Sequence, residues 1–153
     1  MASWFINVKF ELDLRKDIME NIKKFFAGDK FCEFIGVELI EVGTGRAKTK
    51  LEIKEHHLNG VGTIQGGALF TLADLAVAAA ANSHGNIAVV INANISYMKA
   101  VSEGTLYAEA AEESLNPKLG TYSVKVTNQT GELIVILQGM AYRKKELLNN
   151  ANQ

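Results

Sequence analysis

Cysteine is nearly absent, with Cys32 the only one in 153 residues. A lone thiol excludes an intrachain disulfide and any cysteine-rich zinc site, so a buried structural role is expected for it. A surplus of charge is lacking too: sixteen Lys and Arg face seventeen Asp and Glu, leaving −1. No global positive field exists to hold nucleic acid by counterion release, and no nucleic-acid partner is expected. Histidine occurs only three times, and His56 and His57 are loop neighbours whose rings would diverge. No metal site is therefore expected, and the histidines are read as structural or surface residues. Long apolar runs are missing as well. The most apolar window, residues 68–81, contains Thr71 and Asp74 and falls short of the ~18 residues that suggest a membrane span. Residues 1–10 are broken by Asn7 and Lys9 and lack the charge and cleavage pattern of an export signal. A cytoplasmic protein with no membrane partner is expected, which makes the N-x-S/T matches at Asn94 and Asn128 irrelevant.

What is present reads as one folded domain, with 48% hydrophobic and 22% charged residues. Residues 12–27 set Leu14, Ile18, Ile22 and Phe25-Phe26 at helical spacing, with Gly28 as the stop, which predicts an amphipathic N-terminal helix. Residues 37–55 alternate with a period of two about Gly43-Thr44-Gly45, which predicts a β-hairpin with one solvated face. A glycine-containing loop follows, and then residues 68–83. Six alanines between Ala73 and Ala81 and the absence of interior Gly or Pro predict a helix there, apolar nearly all round and hence buried. Four further alternating stretches, 87–98, 105–115, 121–127 and 132–142, are separated by turn-forming residues, including the single proline, Pro117. An antiparallel meander wrapped about the helix is expected, followed by a frayed tail over residues 145–153.

Residues 60–67 contain G-x-G-x-x-Q rather than a dinucleotide fingerprint, and they follow a polar loop instead of a buried strand. No P-loop, nucleophile-elbow, C-x-x-C or H-E-x-x-H motif occurs. Two features do point to chemistry. Gly66-Gly67 opens the buried helix, where free N–H groups and the macrodipole can hold an oxyanion and the missing side chains let a carbonyl approach. The same pair could equally serve tight packing between helix and loop. Asp74 is the only charged residue from Ala68 to Ser83. A carboxylate there is either a satisfied interior polar group or a base whose proton affinity burial has raised. Gln65 and Asp74, nine positions apart, would lie about 13 Å apart along one helix and about 180° around it. If both act on one reacting group, the helix start and the carboxylate must come from two subunits of a twofold dimer.

The stretch from Asn59 through Gly62, Gln65, Gly66 and Gly67 to Asp74 resembles the N-x-x-G-x-x-H-G-G-x-x-x-x-x-x-D pattern of hotdog-fold acyl-CoA thioesterases, specifically their phenylacetate-degradation (PaaI-like) group. The similarity runs from about Ile35 to Lys144 and includes the Ile95–Lys99 strand and the closing Gly139–Lys144 segment. It implies an α+β hotdog fold over residues 35–144, a long central helix wrapped by an antiparallel sheet, with residues 1–34 as a helical extension. It also implies homodimers paired into homotetramers, and hydrolysis of an acyl-CoA thioester without metal or separate cofactor, coenzyme A being part of the substrate. Carried over, the Gly66 N–H polarises the thioester carbonyl, Asp74 serves as general base or nucleophile, and Asn59 orients the water or the carboxylate. Gly67, Val90 and Lys99 are candidate substrate contacts, and Lys118 and Arg143 are further candidates for the coenzyme A phosphates. Two positions depart from the group. Gln65 stands where most members have His, keeping a hydrogen-bond donor but not a titratable ring. Val89-Val90-Ile91 replaces a stretch in which some relatives place a hydroxyl near the attacking water. A non-catalytic acyl-CoA or aromatic-ligand module is the alternative, and a hotdog hydratase ranks last because the helix supplies no His beside Asp74.

Overall fold

The computed structural model describes residues 16–148. Helix α1 covers residues 16–26, so Leu14 and the rest of the predicted helix before residue 16 lie outside the described residues. Ile22, completely buried, is its anchor in the core. A second helix that the periodicity does not announce follows, α2 (Lys30–Ile35), with Asp29 as N-cap accepting from the Phe31 and Cys32 N–H groups. An N-cap of this kind contributes about 1 kcal/mol, enough to nucleate so short an element once tertiary packing holds it. Cys32 is buried, as expected, and burial together with the neighbouring Asp29 pushes its thiol up to about 12.

The hairpin of β1 (Glu38–Gly43) and β2 (Arg46–Glu52) leads through a short 3-10 turn into α3 (Gly66–Asn82). The remaining strands are β3 (Asn86–Tyr97), β4 (Thr105–Leu115), β5 (Leu119–Asn128) and β6 (Leu133–Leu147). One six-stranded antiparallel sheet in the order β1-β2-β4-β5-β6-β3 wraps α3, giving the α+β hotdog architecture. The alanines of α3 explain the close fit. Ala73, Ala76, Ala79, Ala80 and Ala81 are completely buried, as is Ala108 in β4. A Cβ on Gly139 of β6 would stand 3.2 Å from Val77 Cγ1, so sheet and helix approach each other closely there. Polar ties fix the helix in register: Thr49 Oγ1 donates to the Leu72 carbonyl at 2.7 Å, and the Ser83 hydroxyl accepts from Gly45 N–H at 2.7 Å.

Two expectations need correction. The meander holds for β4, β5 and β6 alone, because β3 is not beside β4 but pairs with β6 at the far edge. The connection over residues 98–104 crosses the end of the sheet, with Met98 N–H bonded to the Ile134 carbonyl and the Val101 carbonyl taking Ile64 N–H. Alternation specifies a strand and its buried face, but not its neighbour. Nor are residues 145–148 frayed. Strand β6 runs on to Leu147, opposite Asn86, while Leu148 is 2% exposed and its N–H donates to the Gly85 carbonyl. Ladder bonds and one buried side chain hold a segment whose Lys144-Lys145-Glu146 composition reads as solvated; residues 149–153 lie outside the described residues.

Candidate active site

Gln65 is the N-cap of α3, its Oε1 accepting the Gly67 N–H. The Ala68 and Leu69 N–H groups turn to the Gln65 carbonyl. Of the four N–H groups that a helix start leaves over, only that of Gly66 lacks a partner among the described residues. It therefore carries the dipole's partial positive charge outward. The Gln65 oxygen serves as the cap, and its Nε2 has no hydrogen-bond partner among the described residues. The glycines have separate reasons. A Cβ at Gly66 would stand 3.0 Å from the Tyr97 hydroxyl, and one at Gly67 would meet the Gln65 amide oxygen at 2.6 Å. The Tyr97 hydroxyl also donates to the Gly66 carbonyl at 3.1 Å, fastening the helix start to the end of β3.

Asn59 organises the loop before the helix. Its Oδ1 accepts from Val61 N–H at 3.0 Å and Thr63 N–H at 3.2 Å, and its Nδ2 donates to Thr63 Oγ1 at 3.0 Å. Within one chain it thus shapes the Gly60–Gly62 turn and makes no contact with Asp74. His57 holds the same loop from beneath: Nδ1 accepts from Lys54 N–H at 3.0 Å and Nε2–H donates to the Ile35 carbonyl at 2.7 Å. His84 bonds to Glu112 at 2.6 Å. Both have the structural roles expected of them.

Asp74 lies two turns into α3, half-buried, on the wall of a cavity of about 510 Å³ whose other lining includes Phe25, Phe26, Phe70, Ala78 and β3 residues 87–93. Its carboxylate has no hydrogen bond or ion pair among the described residues. Burial raises its pKa above the ordinary carboxylate value, and the nearby Asp29 charge raises it further. Val90 shares this cavity; Gln65, Gly66 and Asn59 do not. One chain thus separates the carboxylate from the helix-start donors, as helix geometry dictates. Lys99 is away from the cavity, ion-paired with Glu132 at the surface. Arg143 reaches Asn86 Oδ1 at 3.2 Å and the Asn116 carbonyl at 3.4 Å, tying strand ends together. Tyr97, Phe25 and Phe26 are neighbours of the site that pattern reading misses, since each meets it across a long stretch of chain, whereas Phe70 stands one helical turn before Asp74.

A central helix wrapped by one antiparallel sheet, with free donors at its start and an unpaired acid in its middle, defines a hotdog-type enzyme. A thioesterase superfamily model matches residues 61–135. The chain is 40% identical over 134 residues to a putative esterase of Archaeoglobus fulgidus, covering 86% of this chain and 87% of that one. It is 29% identical over 125 residues to the acyl-coenzyme A thioesterase PaaI of Escherichia coli, covering 81% and 89%. The structure of Escherichia coli PaaI superposes with a TM-score of 0.80 at 27% identity, covering 84% of this chain and 94% of that one. The chain belongs to the thioesterase superfamily, in its PaaI-like hotdog group of thioester hydrolases.

Proposed function

We propose that the protein hydrolyses an acyl- or aryl-acyl-CoA thioester to the free acid and coenzyme A. The observation that carries this reading is Asp74: an ionisable group in an apolar cavity, basic beyond its type and spent on no structural bond. The Gly66 N–H, with the Gln65 amide beside it, polarises the thioester carbonyl and takes up the negative charge that develops on its oxygen. Asp74 removes a proton from the attacking water as the new C–O bond forms. The C–S bond then breaks, and the proton passes to the departing thiolate. Direct attack by the carboxylate, through an anhydride that water then cleaves, uses the same groups. Neither route calls for a metal or a separate cofactor.

Both routes need the helix start and the carboxylate on one substrate, and a twofold dimer supplies them from two chains. The edges of the sheet support this. Strand β1 is short and carries Glu38 and Glu41, both of which discourage pairing. Strand β3 is twelve residues long, has no charged residue, and exposes Val89 and Ile91 at 41% and 55%. An edge of that kind calls for a partner, and a second copy of β3 would place two α3 helices side by side. Pairing of such dimers into tetramers, and a cytoplasmic location, complete the proposal.

Thiol release across acetyl-, phenylacetyl-, hydroxybenzoyl- and longer acyl-CoA substrates is the test, in wild type and in Asp74→Asn. A loss of ~10²-fold or more is expected in the variant, and equal rates would remove Asp74 from the mechanism. Gln65 in place of a titratable ring favours the alternative, a ligand-binding module. Saturable binding by calorimetry with no turnover of any thioester would decide for it.

A further inference from the structure

Two peptide planes meet at the Gly66 Cα, and their four polar groups have unequal fates. In the first plane the Gln65 carbonyl accepts from the Ala68 and Leu69 N–H groups at 3.0 and 3.4 Å. In the second, the Gly67 N–H goes to Gln65 Oε1, and the Gly66 carbonyl accepts from the Tyr97 hydroxyl at 3.1 Å. The group left over is the Gly66 N–H, the donor of the proposed chemistry. Fastening matters there, because glycine has the widest backbone freedom of any residue and two stand in succession. The capping bonds tie the donor to its own helix. Of the bonds just named, the one from Tyr97 alone ties it to the sheet. Tyr97 closes β3, lies opposite Val135 of β6, and is followed by Met98, whose N–H donates to the Ile134 carbonyl at 2.9 Å. Its side chain shares the face of Ala93 and Ile95, which pack against the core, so it points to the helix rather than along the strand's edge.

We propose that Tyr97 is a positioning residue for hydrolysis: it fixes the Gly66 N–H relative to β3, so that the donor meets the thioester carbonyl oxygen opposite the acid supplied by a second subunit. The inference rests on the thioester-hydrolase reading and adds to it a residue that touches no reacting atom. Three observations carry it. The hydroxyl is spent on the carbonyl next to the donor, although Tyr97 is 52% exposed. The ring also stands where a side chain on Gly66 would begin, since a Cβ there would lie 3.0 Å from the hydroxyl oxygen, 3.1 Å from Cζ and 3.4 Å from Cε1. Gly66 is thus a glycine on account of Tyr97, and the phenol closes the side of the helix start that the missing side chain leaves open. Lastly, β3 is the strand through which the second subunit is proposed to pair. A tie from β3 to the helix start therefore sets where the donor stands relative to the acid across the twofold axis. Oxyanion donors act by being preorganised, and a displacement of ~1 Å can cost ~10²-fold.

The experiment compares wild type with Tyr97→Phe, which keeps the ring and loses the hydroxyl, by steady-state thiol release from acetyl-, phenylacetyl- and decanoyl-CoA. A fall in kcat of about ten-fold or more is expected, with KM changed by less than about three-fold, because the donor serves an oxygen whose charge develops in the transition state. The loss should be the same for every acyl group that wild type turns over. The acid-side midpoint of the pH–rate profile, which belongs to Asp74, should stay where it is. An unchanged kcat, a change confined to KM, a loss that varies with the acyl group or a shifted midpoint overturns the proposal. Nitrogen-15 relaxation of the Gly66 amide in the full chain separates this tie from the hydrolysis reading. Absence of thiol release from every thioester by wild type sinks hydrolysis. A Gly66 order parameter near the rigid-backbone value of ~0.85 in wild type and lower in Tyr97→Phe would still uphold the fastened donor, and equal order parameters would remove it.

Discussion

Asp74 costs the fold something for being where it is. Its carboxyl prefers the proton because burial and Asp29 both oppose the charge. A carboxylate whose folded pKa lies above its unfolded value penalises the folded state once pH has risen through the folded pKa, and not below the unfolded value of ~3.9. At neutral pH, Asp74→Asn should therefore leave the melting temperature unchanged or raise it, while activity falls; a melting temperature several degrees lower would mean the carboxylate has a structural partner. The same shift sets the pH dependence of catalysis. In the proposed mechanism the ionised form is the base, so kcat/KM should fall on the acid side with a midpoint above the ordinary carboxylate range, and a pH–rate profile reads this directly. At this scale much was legible. An acid alone in an apolar helix announces itself by type, and a glycine pair at a helix start by position. Tyr97 did not, since its bond to Gly66 spans 31 positions. The pairing of Lys99 with Glu132 and of Arg143 with Asn86 was not legible either, because a basic residue's type says nothing about the acid or amide beside it.

At the scale of elements, the loop from β2 to α3 is held by His57, whose ring is buried and bonded at both nitrogens. Burial keeps it neutral and depresses its pKa. Protonation would set an Nδ1–H against the Lys54 N–H that the ring now accepts. Stability from this group is complete above the unfolded value of ~6.5 and is lost as pH falls below it through the lower folded pKa. Melting temperatures should decline on acidification below about pH 6.5. His57→Asn should flatten that decline at a cost of about 1–3 kcal/mol, from polar groups left unpaired. A slope identical in the two proteins would assign the decline to other groups. The central helix and the alternation of most strands follow from periodicity, which is local. Helix α2 escaped because six residues carry too little periodicity to register, and its Asp29 cap and buried Cys32 matter only once the core is assembled.

For the whole molecule the consequential feature is the uncharged edge of β3. Light scattering at micromolar concentration should return at least twice the 16.7 kDa of one chain. Val89→Glu/Ile91→Glu should return a single chain with thiol release lost, because the cavity would face solvent and the donors of the neighbouring helix would be absent. A fully active single chain would refute the shared site.

Composition and periodicity were enough to predict one domain with a buried central helix and alternating strands, and the spacing from Asn59 to Asp74 carried the resemblance that implied the hotdog fold. These are properties of short windows, where side-chain type and backbone period act directly. Tertiary structure alone decided that β3 crosses to β6, that β6 extends to Leu147, that Asn59 bonds within its own loop and Arg143 to Asn86, and that Phe25 and Phe26 reach the cavity of Asp74. Each of these is a meeting of residues distant in the chain, chosen by loop closure and packing of the assembled core, and no local pattern encodes it.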